Sequence, residues 1–157
     1  MTLVLRNTSR YASQDVARLI GLARDFVGVP KGVAVHVRMN HKDALRGMAY
    51  DGIPALARVP SSCRYLVTLR IGPASSFPVL FHCHGLRSVE PLRLASWQEA
   101  LLYGCAHEFR HLHQFEHRLR RSEVDAERFA RYALLRFRGE EASVPAAKAS
   151  PTSRRSH

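Results

Sequence analysis

Lysine is nearly missing from this strongly basic chain. Of 24 basic residues only Lys31, Lys42 and Lys148 are lysines, against 13 acidic residues, for a net charge of +11. Arginine therefore carries the charge. One reading is a surface for nucleic acid or another polyanion. The other is coding in a GC-rich genome, which enriches arginine and alanine together. The arginines are dispersed, with one modest cluster over Arg118, Arg120, Arg121, Arg128, Arg131, Arg136 and Arg138. Either reading leaves weak nucleic-acid binding through a basic surface as an expectation. Cysteine is scarce too. Cys63, Cys83 and Cys105 are odd in number and form no C-x-x-C pair. That argues against a disulfide framework and for a reducing, cytoplasmic setting. No apolar run approaches the length of a membrane span, and Met1–Leu5 is too short for a signal-peptide core, so no membrane partner is expected.

What remains is ordinary globular material, 46% hydrophobic, long enough for one domain. Residues 1–138 read as that domain. Residues 139–157 are Ala/Ser/Pro-rich without apolar periodicity and read as a disordered basic tail. Val16, Leu19, Ile20, Ala23 and Val27 make a helical stripe over Ser13–Val27, which Gly28-Val29-Pro30 ends. Val33–Arg38, Tyr65–Ile71 and Phe77–Cys83 read as strands. Asn40–Pro60 reads mostly as loop, with room for one short extra strand.

The chemistry sits after these strands. His107-Glu108-Phe109-Arg110-His111 is an H-E-x-x-H run on a stretch with helical signals. Ser96-Trp97-Gln98-Glu99 fits a capping box. From there to about Gln114 there is no proline, and Gly104 is the only glycine. Leu101, Cys105, Leu112 and Phe115 form an apolar stripe. Beside it run Ala100, Gly104, His107 and His111. Gly104 there either leaves room above a metal or packs closely on a strand. Histidines four apart share one helix face and can bind one zinc ion, with Glu108 beside them as general base.

Such a site needs a third protein ligand. His117 has the spacing of the metzincin pattern, but Gln114 stands where that pattern has its turn glycine. Without it, a continuing helix turns His117 away from the metal. Ser122 reads as the N-cap of another helix, in which Glu123 and Glu127 lie four apart on one face. One can ligate zinc while the other holds a ligand histidine by its free ring nitrogen. Asp125 lies on a different face. If the first helix ended near His113, Glu123 would reach the metal. If it ran straight to Arg118, Glu127 would stand opposite His111.

His107-Glu108-x-x-His111 followed by Glu123-x-x-Ala126-Glu127-x-Phe129-Ala130 resembles the gluzincin group of zinc metallopeptidases. The likeness is to its small phage-type members and to those with an ImmA/IrrE-like ending. It covers about residues 96–138. The resemblance implies His107, His111 and Glu123 as zinc ligands, Glu108 as general base and Glu127 supporting a ligand. Its partner at the Glu127 position is usually Asp or Asn, so Glu127 departs from the pattern and leaves it as the alternative ligand.

The implied fold is α+β, a minimal zincin: an N-terminal helix, a small twisted and mostly antiparallel sheet, the H-E-x-x-H helix, and a C-terminal helix carrying the third ligand. The implied activity is zinc-dependent hydrolysis of a protein or peptide substrate. The peptide would add to an edge strand, Tyr65–Ile71 or Pro78–Cys83. Tyr103, Tyr132, His113 and His84 are candidate oxyanion donors. His82-Cys83-His84 offers either a second metal site or a histidine pair at the cleft rim. Two rivals stand beside this reading: a basic, DNA-associated zincin resembling the SprT group, and a zincin-fold interaction module without turnover.

Overall fold

Alternating β-branched residues make the centre of the sheet. The computed structural model describes residues 3–83, 90–140 and 144–145. Val33, Val35 and Val37 of β2 (Val33–Met39) and Val67, Leu69 and Ile71 of β4 (Tyr65–Ile71) point to one face and are fully buried. β1 (Leu3–Asn7) pairs with the outer side of β2, and β3 (Leu45–Asp51) with the outer side of β4, giving the order β1-β2-β4-β3. A separate pair, β5 (Val79–Phe81) and β6 (Leu92–Leu94), is antiparallel.

The main sheet is mixed rather than mostly antiparallel. β1 and β2 are parallel because helix α1 (Ser13–Val27) crosses between them. β2 and β4 are parallel because β3 passes to the edge before residues 52–64 bring the chain back, inserting β4 between. The class is α+β with three helices. Among the described residues no helix is long and apolar enough to cross a membrane.

Helix α2 (Trp97–Glu116) lies against the valine face of the sheet, with α1 and α3 (Glu123–Phe137) packed on it. A stripe was expected; instead Glu99 to Leu112 are all buried. A helix enclosed by a sheet and two helices has no solvent face. Its polar residues must therefore find partners inside. The capping box forms with a shift: Ser96 Oγ accepts from the Glu99 N–H, and the Glu99 carboxylate accepts from the Ala95 N–H and from Arg138 at the far end of α3. Gly104 takes the close-packing role, since a Cβ there would stand 2.7 Å from Leu45 Cδ1.

α3 ends at Phe137. Gly139 adopts a positive φ of 73°, and the Glu140 and Gly139 N–H groups bond back to Leu135 and Arg136. The rest of the expected tail falls almost wholly outside the described residues.

Candidate metal centre

α2 and the first turn of α3 bring three donor groups to one point. His107 Nε2 stands 3.2 Å from His111 Nε2 and 3.0 Å from Glu123 Oε2. His111 Nε2 is 3.2 Å from Glu123 Oε1. Donor atoms around a four-coordinate zinc, with bonds near 2.0–2.1 Å, stand about 3.3 Å from one another. The donor set fits that ion in type and nearly in spacing.

The rings are oriented for this. His111 Nδ1 lies 2.9 Å from Gln114 Oε1. That oxygen also accepts from the Ser122 N–H, while the amide nitrogen donates to the Ser122 carbonyl and to Asp125. The amide's direction is thereby settled, and Oε1 must accept. His111 therefore carries its proton on Nδ1 and turns a lone pair on Nε2 toward His107. On the other ring, His107 Nδ1 faces Glu127 at 3.7 Å. Glu127 is buried and held by Tyr103 Oη and by Arg131 Nε at 2.7 Å.

The electrostatics favour a cation. Burial pulls the His107 ring down, but the Glu123 and Glu127 carboxylates outweigh it and raise the group to about 9. The His107 hydrogen bond holds Glu123 at about 2. Glu127 also sits at about 2, its burial overcome by His107, Tyr103 and Arg131. Two ionised carboxylates thus face one imidazole and hold a proton on it, the positive charge that a metal cation there would replace.

The turn between the helices decides which carboxylate goes where. α2 runs to Glu116, beyond His113, yet Glu123 still reaches both histidines. Arg118 takes a left-handed conformation at φ 53°, and the Arg118 and Leu119 N–H groups bond back to Phe115 and Gln114. This is a Schellman turn with arginine where glycine is usual. It reverses the chain at once, and the Gln114 clamp on Ser122 fixes where α3 begins. The straight-helix argument for Glu127 facing His111 fails on that turn; Glu127 lies behind His107 instead.

His117 is not part of the cluster. It is exposed, with Nδ1 on the His113 carbonyl at 3.0 Å and its ring against His113. Asp125 faces Arg110 and Gln114.

Glu108 stands apart from the three donors, between them and the sheet. It is buried, and its Oε2 is the one buried side-chain polar atom without a hydrogen-bond partner among the described residues. Burial pushes its carboxyl up to about 7, against the pull of His107 and Arg121. Gly47 of β3 makes its room: a Cβ there would lie 2.6 Å from Glu108 Oε1.

His107, Glu108, Glu123 and Tyr103 line a cleft of about 660 Å³ walled by β3 on one side and by Val79–Cys83 on the other. Two strands with a free edge line this cleft: β3, and β5 within the expected Pro78–Cys83. β4 has a partner on both sides, so the expectation for Tyr65–Ile71 is corrected, and the short strand sought within 40–60 takes its place. Of the expected oxyanion donors, Tyr103 lines the cleft with its hydroxyl on Glu127. His113 and Tyr132 do not line it. His84 lies outside the described residues. His82 stands at the cleft rim. Cys83 comes within 4.8 Å of His107 and Glu127, where burial and Glu127 push its thiol to about 12.

Sequence reasoning missed Gln114, Gly47 and Arg121. Arg121 lines the cleft and donates from Nε to Glu123 at 3.2 Å. Compared with known proteins, the chain matches no family model, no curated protein and no solved structure.

Proposed function

We propose that the protein is a zinc-dependent metallopeptidase of minimal zincin type. The observation that carries this reading is the three-donor cluster of His107, His111 and Glu123 beside a buried carboxylate with an unspent oxygen, at the floor of an open cleft. His107, His111 and Glu123 would hold the zinc. When bound, such an ion polarises a carbonyl and acidifies water. The layering supports the fold assignment: a sheet edge above the H-E-x-x-H helix, then a helix supplying the carboxylate.

Within that reading each residue has a task. Gln114 holds the His111 tautomer, and Glu127, braced by Tyr103 and Arg131, backs His107. Glu108 Oε2 takes a proton from the attacking water and returns it to the departing amine; a carboxyl raised to about 7 suits both transfers. The substrate is an extended peptide that adds to the free edge of β3.

Two measurements test this. Metal analysis of the purified protein is expected to give about one zinc per chain, and chelation is expected to abolish peptide hydrolysis until zinc is restored. A chain that takes up no zinc overturns the reading. Gly47→Ala is expected to lower kcat by about tenfold or more while the melting temperature holds. A Cβ displaces Glu108, yet Gly47 has no positive φ and alanine suits a strand at least as well. Wild-type turnover in Gly47→Ala would mean that Glu108 does not act from this position.

A further inference from the structure

The arginine cluster expected to face a polyanion is largely committed elsewhere. Arg131 binds Glu127, Arg138 binds Glu99, Arg121 binds Glu123, and Arg136 lies over the Phe26 ring. A different basic surface emerges from strand alternation. Residues of β1 to β4 that do not face α2 point to the outer face of the sheet. At one end of that face Ala34 and Leu66 are covered by Ile53, Ala57 and Val59 of the link between β3 and β4. At the other end the outward residues are arginines. Arg38 pairs in register with Arg70, Arg70 with Arg46, and Arg6 lies opposite His36. All four arginines are exposed.

We propose that this outer sheet face, carrying Arg6, Arg38, Arg46 and Arg70, docks the phosphate backbone of single-stranded nucleic acid. Neighbouring strands lie about 4.8 Å apart, so Arg38, Arg70 and Arg46 form a row of three guanidiniums across about 10 Å. Like charges directly opposite one another destabilise a sheet, and no carboxylate is interleaved to relieve them. Among the described residues Arg6, Arg38 and Arg70 have no acidic partner, and Arg46 has only exposed Asp43 at 3.4 Å. The same chain pairs its buried and half-buried arginines carefully. This face therefore keeps its positive charge for an outside partner.

The chemistry of that partner follows from the side chains. Guanidinium groups match phosphate oxygens in bidentate fashion. On the same outward side of β3, Tyr50 is exposed and offers an aromatic face on which an unpaired base stacks. His36, buried between Arg6 and Arg38, is kept neutral by burial and by those two charges, so it adds no charge of its own. The face lies on the opposite side of the sheet from α2. Arg46 and Met48, on the edge strand, also line the candidate cleft, whereas Arg6, Arg38 and Arg70 do not, so the Arg38 and Arg70 pair tests the face apart from the peptidase reading.

The test is fluorescence anisotropy of a labelled oligothymidylate with the full chain. Binding at low salt is expected to weaken with added salt at a slope of about −2 to −3 in log K against log [salt], from three or four neutralised phosphates. Arg38→Gln with Arg70→Gln is expected to cut affinity about tenfold or more and to flatten the slope by about 1.4. The pair Arg6→Gln with Arg46→Gln reads the same face from β1 and β3. Arg18→Gln with Arg120→Gln, exposed on α1 and in the turn between α2 and α3, removes the same charge and is expected to change affinity little. Equal losses in all three pairs would show that net charge alone binds, and overturn the proposal. So would no binding at low salt, or binding to phosphatidylserine vesicles without binding to the oligonucleotide.

Discussion

Glu108→Gln is expected to keep its zinc and lose its turnover. The amide is nearly the same shape as the carboxylate, so the space beneath Gly47 is filled as before. None of the donor distances among His107, His111 and Glu123 involves Glu108. Zinc content is therefore expected to stay near one per chain. A glutamine cannot accept the proton that Oε2 is placed to take. Removing a general base costs about 10²–10⁴-fold, so kcat is expected to fall by roughly a thousandfold with KM little changed. The variant is also expected to be at least as stable as wild type, because it no longer risks an ionised carboxylate in a buried setting. Full activity in Glu108→Gln, measured on the zinc-loaded protein, would remove Glu108 from the mechanism. Loss of zinc would instead make it structural.

The parts of this architecture that were legible in sequence are the parts specified locally. α1 and α3 follow from apolar spacing, and α2 from a cap and a proline-free run, because a helix satisfies its own backbone within four residues. β3 was legible only as a loop with a short strand. Leu45-Arg46-Gly47-Met48 breaks strand patterning with a glycine, and that glycine is where Glu108 needs space. A local rule is broken there because the site requires it. β1 and β6 are too short to announce themselves, and missing β1 concealed the crossover that makes the sheet mixed. The histidine pair was readable from spacing, but spacing left Glu123 and Glu127 as alternatives and only the resemblance favoured Glu123. Gln114 was not: it registered as an absent glycine, while its real partners lie eight and eleven residues further on. The basic face was equally hidden. Its arginines come from four strands, and only register brings them together.

The largest effect on stability is expected outside the donor cluster, at Arg110. This residue lies inside the H-E-x-x-H run but points away from the histidines. Its guanidinium holds Asp125 through Nε at 2.6 Å and Nη2 at 3.3 Å, and stacks 4.0 Å from the centre of the Phe129 ring. Arg110 and Asp125 are both buried. Burial raises the Asp125 carboxyl, but hydrogen bonds from Arg110 and Gln114 outweigh it and hold the group below its ordinary 3.8. A depressed carboxylate stabilises the fold at pH above its unfolded value and loses that contribution as pH falls through the folded one. Arg110→Ala leaves the carboxylate buried with Gln114 as its remaining side-chain donor. The cost is expected to be about 3–5 kcal/mol at neutral pH, a drop of about 10 °C or more in melting temperature. With the depression gone, the variant is expected to lose less stability than wild type between about pH 5 and pH 3. The apolar pair Arg110→Met with Asp125→Leu is expected to recover part of the loss, since two buried charges vanish together. It does not recover the site. Asp125 steadies the Gln114 amide, and that amide fixes the tautomer of His111. Zinc affinity in the double variant is therefore expected to stay about 10–100-fold weaker, the usual cost of losing a ligand's supporting contact. Restored melting with restored zinc affinity would show that the Asp125–Gln114–His111 chain does not hold the metal centre.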